Sequence, residues 1–217
     1  MILALLCAVA QGAWAQTTVT TDSELRTAIQ IDGVKIQLAN DIDLSNSTLS
    51  IPEGTTVTID LGGHTLDRKL TQRGEGGGIN NEGGTANLTD VNITGCVSDD
   101  RGGGIYIFST ATLNMKGKMT ITDNIGKEGL KHNVFLKENA VITVTGALTD
   151  SKIGITLEDE TGTFTSGYKD NNSDVDPATI FTSDLTGVMA VSPDDNNEAQ
   201  LSNSLPDGDV YCRYWQR

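Results

Sequence analysis

The feature that most constrains the fold is a glycine triplet that occurs twice, each time before an isoleucine. Residues 76–79 and 102–105 both read Gly-Gly-Gly-Ile, and the two triplets begin 26 residues apart. A Thr-rich run with alternating aliphatic and polar residues follows each triplet, over residues 85–95 and 110–122. A repeat of this length, with strand-like alternation and glycine corners, is typical of a β-solenoid coil. Glycine suits places where the backbone turns sharply or where one coil packs tightly on the next.

Other short runs rich in aliphatic and β-branched residues predict further strands, separated by Asn, Asp, Ser, Pro and Gly. They cover residues 34–38, 42–44, 48–51, 55–61, 134–136, 140–144 and 153–157. Together with the two repeats they predict about five or six coils, more than the roughly three that a stacked repeat needs.

A short helix is predicted before the first strand. Thr21 and Glu24 have the spacing of a capping box, and Leu25 and Ala28 then share one helical face until Gly33 ends the segment. We expect this helix to cover the N-terminal end of the solenoid, since an exposed terminal coil invites edge-to-edge aggregation.

The repeats also resemble a known class. The Gly-Gly-Gly-Ile element is similar to the Gly-Gly-Ala-Ile element of polymorphic outer-membrane adhesins, and residues 57–66 resemble the first complete coil of pectin-lyase-like proteins. The resemblance covers residues 20–168. It implies an all-β, right-handed, single-stranded parallel β-helix with a short N-terminal capping helix, presented at a bacterial cell surface.

Composition limits the partners. The chain has 29 acidic and 15 basic residues, and its net charge of −14 argues against nucleic acid or anionic lipid as a ligand. Cationic ligands, calcium and neutral sugars remain open. Only 5% of the residues are aromatic, so the predicted core is built from Ile, Leu and Val.

Three segments are predicted along the chain. An apolar run over residues 2–10 followed by Ala13-Trp14-Ala15 predicts a signal peptide, residues 1–15, too short to span a membrane. We therefore expect a secreted or outer-surface protein with no membrane span after cleavage. Residues 16–168 are predicted to form the β-helix with its cap, and residues 169–217 a polar linker and a weakly structured or truncated tail.

Two cysteines would remain after cleavage, Cys96 and Cys212. A secreted chain could join them in a disulfide, but their spacing does not require it. The alternative is that Cys96 is a small buried hydrophobic residue.

The candidate ligand-binding residues are Tyr106 and Phe108. If Ile105 and Ile107 point into the core, alternation places both aromatic residues side by side on the outer surface. There they could form a stacking platform for a sugar ring or a partner. In the alternative, both rings pack beneath a neighbouring loop.

No catalytic residue, metal site or cofactor is predicted. Asp99-Asp100-Arg101 is the nearest match to the carboxylates and base that a calcium-dependent lyase needs, but solvated Asp-rich turns are common. The alternating Asp and Asn residues of residues 170–176 resemble a calcium loop, yet Val175 replaces its glycine and Phe181 its bidentate glutamate.

The sequence therefore favours a non-catalytic, adhesin-like protein that binds carbohydrate or the surface of a host or neighbouring cell. The sequence does not decide whether the protein is an enzyme, although it favours a non-catalytic role. One alternative is a calcium-dependent polysaccharide lyase of the pectin-lyase-like class. Another is a structural scaffold fragment of a larger surface protein.

Overall fold

A computed structural model describes residues 16–44, 47–68, 76–185 and 187–203. The predicted signal peptide, Cys212 and the last part of the predicted tail lie outside these residues. Nothing in the structure therefore bears on the signal peptide or on a disulfide at Cys212.

The described part of the chain is built mainly from short strands. In chain order they are β1 Gln16–Val19, β2 Val34–Leu38, β3 Ile42–Asp43, β4 Leu49–Ile51, β5 Thr56–Asp60, β6 Thr65–Asp67, β7 Ile79–Asn81, β8 Thr85–Thr89, β9 Asn92–Thr94, β10 Ile105–Ile107, β11 Thr112–Lys116, β12 Thr120–Thr122, β13 Val134–Leu136, β14 Ile142–Val144, β15 Lys152–Leu157, β16 Gly162–Thr163, β17 Thr165–Ser166, β18 Phe181–Ser183, β19 Met189–Pro193 and β20 Ala199–Asn203. The helices are α1 Asp22–Ala28, α2 Tyr168–Asn172 and two 3-10 helices, Lys127–Gly129 and Pro177–Thr179.

These strands stack in parallel as successive coils. A seven-stranded sheet has the order β1-β2-β5-β8-β11-β14-β17. A second sheet runs β3-β6-β9-β12-β15-β13-β10-β7-β4, because the six-residue strand β15 pairs with β12 at its start and with β13 at its end. Each complete coil thus supplies one strand to the first sheet and two to the second. The predicted all-β parallel β-helix is confirmed, with about five coils.

The core is a set of aliphatic columns that run from coil to coil. Alternation along β2, β5, β8 and β11 points every second side chain inward. One column consists of Val34, Val57, Ala86, Leu113 and Ile142. A neighbouring column consists of Ile36, Ile59, Leu88, Met115 and Val144. All ten side chains are buried, so each coil stabilises the coils above and below it.

The glycine triplets are the places where coils meet most closely. The N–H of Gly77 donates to the carbonyl oxygen of Gly102 at 2.8 Å, and a Cβ on Gly77 would collide with the carbonyl oxygen of Gly103. Gly76 and Gly102 also have φ angles of +68° and +65°, which other residues rarely adopt. Both roles expected of these glycines, sharp turning and tight coil packing, are present.

The N-terminal helix α1 forms where the sequence predicts it, but it follows β1, an edge strand of the seven-stranded sheet that the sequence did not predict. The hydroxyl of Thr21 accepts from the N–H of Glu24, while the Glu24 carboxylate accepts from the N–H and the hydroxyl of Thr20. Leu25 and Ala28 are buried in the same hydrophobic core as the coils. The helix therefore closes the end of the core beside β1 and β2.

The stretch expected to be a polar linker from residue 169 is instead part of the fold. It contains α2, and β18 adds to β15 in parallel, while β16, β20 and β19 form a small antiparallel sheet. The polar residues of α2 bind backbone groups of earlier coils: Asn171 Nδ2 donates to the Val144 carbonyl, and Asn172 Oδ1 accepts from the Leu148 N–H. The polar side chains of α2 therefore cap backbone groups of the coils, and their polarity does not indicate a linker. For residues 204–217, a weakly structured or truncated tail stays a prediction.

Candidate functional site

The outward side of the seven-stranded sheet carries polar side chains in register from coil to coil, and we call it the polar face. Its longest column is Lys35, Thr58, Asn87, Asn114, Thr143 and Ser166. A second column is Gln37, Asp60, Thr89 and Lys116. Neighbouring strands of a sheet are about 4.7–4.9 Å apart, so each column presents one polar group per coil at a regular spacing.

Hydrogen bonds hold part of the polar face in a fixed arrangement. Asn114 Nδ2 donates to Asn87 Oδ1 at 2.7 Å, and Asn87 Nδ2 lies 3.4 Å from Thr58 Oγ1. All three side chains are only half-buried. Amide and hydroxyl groups both donate and accept, so this surface can bind groups that also do both.

Tyr106 and Phe108 do not form the predicted platform of two rings lying side by side on the surface. The Tyr106 side chain is buried, with only 1% of the residue exposed, and its ring stacks on Phe135 of the next coil at 5.3 Å between centroids. Phe108 is half-buried, 5.0 Å from the Tyr106 ring, with Lys137 Nζ 5.4 Å from its centroid. The expected exposure is thus wrong for Tyr106, because Phe135 packs on its ring, whereas Phe108 remains partly exposed. Whether either residue binds a ligand stays a prediction.

A small cavity lies beside this aromatic cluster, and we call it the Arg101 pocket. It has a volume of about 150 Å³, and Arg101, His132, Phe135, Glu158 and Glu160 contribute to its wall. Arg101 Nη1 donates to Glu158 Oε1 at 2.7 Å, and the guanidinium carbon lies 5.0 Å from the Phe135 centroid. The pocket combines fixed charges with an apolar wall.

His132 is the least expected member of this wall. The residue is 1% exposed, its ring is nearly parallel to that of Phe135, and neither ring nitrogen has a hydrogen-bond partner among the described residues. Burial, helped by the positive charge of Arg101, lowers the pKa of His132, so the ring is neutral at neutral pH. A buried polar group without a partner costs free energy and is uncommon in native proteins.

A chain of buried polar side chains follows one corner of the coils. Asn124 Oδ1 accepts from the Cys96 N–H, Asn133 Oδ1 accepts from the Asn124 N–H, and Asp184 accepts from the N–H and side chain of Asn133. Cys96 is fully buried and has no disulfide partner among the described residues, and burial raises the pKa of its thiol to about 12. Each group is satisfied by a neighbouring coil, so this chain stabilises the corner.

The residues of the lyase hypothesis do not come together as a metal site. Asp99 is exposed and Asp100 half-buried, while Arg101 is paired with Glu158. In the ranges that the structure describes, no three His, Cys, Asp or Glu side chains are grouped so as to hold a metal ion. Asp176 caps a 3-10 helix by accepting from the Ala178 N–H, within the stretch that resembles a calcium loop.

The sequence did not identify His132, Phe135 or Glu158 as candidates. The signal for Phe135 was present, since Val134–Leu136 has the same aliphatic-aromatic-aliphatic pattern as Ile105–Ile107 and pairs with it in register. Glu158 reaches Arg101 across 57 residues of sequence, a pairing that only the stacking of coils creates.

The comparisons with known proteins give no identification: no family model, no curated protein and no solved structure matches this chain. Among the described residues, no helix has the length and apolarity needed to cross a membrane.

Proposed function

We propose that this protein is a secreted, non-catalytic β-helix that binds carbohydrate through the polar face, at the outer surface of a bacterial cell. The observation that carries the proposal is the column of six polar side chains, one on each of six successive strands of the seven-stranded sheet. The signal-peptide pattern and the resemblance to surface β-helices supply the cellular setting.

The chemistry of the polar face favours neutral sugars. Sugar hydroxyls donate and accept hydrogen bonds, as do the Thr hydroxyls and Asn amides of the column. A net charge of −14 disfavours acidic polymers at long range. A polymer lying along the column would meet a similar group at every coil, so weak contacts would add up along its length.

The proposal can be tested by removing hydrogen-bonding groups from the column. The triple variant Thr58→Ala/Asn87→Ala/Asn114→Ala of the full chain would be compared with wild type on neutral glucans, galactans and mannans. Each lost hydrogen bond is worth about 0.5–1.5 kcal/mol, so we expect at least a roughly tenfold loss of affinity for the polymer that wild type binds.

The second sheet offers a matched control. Thr65, Asn92 and Thr120 form an outward column of the same two residue types, and Thr65→Ala/Asn92→Ala/Thr120→Ala removes one amide and two hydroxyls there, against two amides and one hydroxyl from the polar face. We expect this variant to bind as wild type does. Equal losses in both variants, or no polymer bound by wild type, would contradict the proposal.

The same preparations test the lyase alternative. Wild-type protein is incubated with polygalacturonate and calcium, and the absorbance of unsaturated uronates is measured. We expect no turnover. Calcium-dependent turnover that Asp100→Ala abolishes would replace the binding proposal with an enzymatic one.

A further inference from the structure

We infer that the Arg101 pocket is a second carbohydrate subsite, which takes one neutral sugar unit with adjacent hydroxyl groups. The inference deepens the proposed function, on which it rests for the class of ligand. It concerns a different surface, formed by β13, β15 and the turn that contains Arg101.

The size of the pocket limits what can enter. Its volume of about 150 Å³ is equivalent to roughly five water molecules. Pockets for drug-sized ligands begin at about 300 Å³, so the Arg101 pocket is suited to one ring or part of one rather than to an oligosaccharide.

The Arg101–Glu158 pair is held ready for a ligand with paired hydroxyls. Glu158 Oε1 accepts from Arg101, and Glu158 Oε2 accepts from the Glu138 N–H at 3.1 Å. The two side chains are 36% and 27% exposed, so solvent or a ligand can still reach them. One hydroxyl can donate to the carboxylate while its neighbour accepts from the guanidinium.

His132 provides the second, independent observation. A neutral imidazole has one N–H donor and one acceptor nitrogen, and neither is satisfied within the described residues. A ligand hydroxyl can donate to one nitrogen or accept from the other, whereas a carboxylate could only accept. Both nitrogens are buried, so a ligand must displace part of the surrounding wall to reach either of them. The carboxylates of Glu158 and Glu160 would also repel an acidic sugar.

The apolar part of the wall fits the same ligand. Phe135, Leu157 and Leu185 line the pocket beside the polar groups. A sugar ring has C–H faces as well as hydroxyl edges, so a pocket with both kinds of wall matches it. Binding sites commonly pair an apolar lining with a few placed polar groups.

The test uses methyl glycosides of glucose, galactose, mannose and N-acetylglucosamine, with methyl glucuronide as the acidic probe. Saturation-transfer NMR on the full chain should detect at least one neutral glycoside and no methyl glucuronide. We expect His132→Phe and Glu158→Gln each to reduce that signal at least fivefold. Glu138→Gln removes the same charge from an exposed side chain outside the pocket wall, and it should leave the signal unchanged.

Stability separates a binding role of His132 from a structural one. His132→Phe removes two unsatisfied nitrogens and keeps a flat ring beside Phe135, so the variant should unfold at the same or a higher urea concentration than wild type. Glycoside binding retained in His132→Phe and Glu158→Gln, or absent from wild type, would overturn the inference. Polymer binding that depends on Asn87 and Asn114 would still support the proposed function in that case.

Discussion

At the scale of single residues, the glycine triplets carry the strictest requirement of the fold. Gly77, Gly103 and Gly104 lie against backbone carbonyl groups of the next coil, with no room for a Cβ. The triplets could be recognised from sequence because their repetition and the need for close packing point to the same structure. The exposure of nearby side chains could not be recognised, because it depends on the neighbouring coils: Phe135 of the next coil packs on the buried Tyr106 ring.

Gly77→Ala tests this requirement. The new Cβ would collide with the Gly103 carbonyl, which the backbone of two coils holds in place, so we expect a loss of roughly 3 kcal/mol or more in the free energy of unfolding. Urea denaturation measures it. Gly146→Ala is the control, since its Cβ would meet only the Lys116 side chain at 3.1 Å, and it should cost less than about 1 kcal/mol. Similar losses for both variants would show that tight coil contact at Gly77 is unimportant.

At the scale of elements, most strands of the coils and the N-terminal helix follow from sequence, whereas β1 and the C-terminal cap, residues 162–203, do not. Val34–Leu38 and Val134–Leu136 have the predicted bounds because alternation and flanking turn residues mark both ends. The cap cannot be recognised from sequence because its residues are mostly polar, as in a linker. Its Asn side chains satisfy backbone groups of earlier coils, and its few aromatic residues, Phe164, Tyr168 and Phe181, meet only in the folded chain.

Limited proteolysis tests whether this cap is part of the fold. Lys169 is exposed but lies in α2, whose neighbour Tyr168 is buried and donates its hydroxyl to the Val175 carbonyl. Native protein should therefore resist trypsin after Lys169, as read by mass spectrometry of the peptides. Phe181→Ala, which removes the ring packed on Phe164 and Tyr168, should increase cleavage there at least tenfold. Rapid cleavage of wild type at Lys169 would restore the linker interpretation.

At the scale of the whole molecule, the parallel stack turns a weak sequence repeat into long, regular surfaces. One such surface, the polar face, follows from alternation that is visible in the sequence. The Arg101 pocket does not, since its members come from three coils and meet only through the register of β10, β13 and β15. The acidic charge of the molecule then selects among the ligands that these surfaces can accept.

The most direct measurement of the central claim is the affinity of the full chain for neutral and acidic polysaccharides at two salt concentrations. Titration calorimetry with the neutral polymer that wild type binds, and with polygalacturonate, would be run at 50 mM and 300 mM NaCl. If the polar face binds by hydrogen bonding, the affinity for the neutral polymer should change less than threefold between the two salt concentrations. Polygalacturonate should not bind. Tighter binding of polygalacturonate, weakened by salt, would contradict the account.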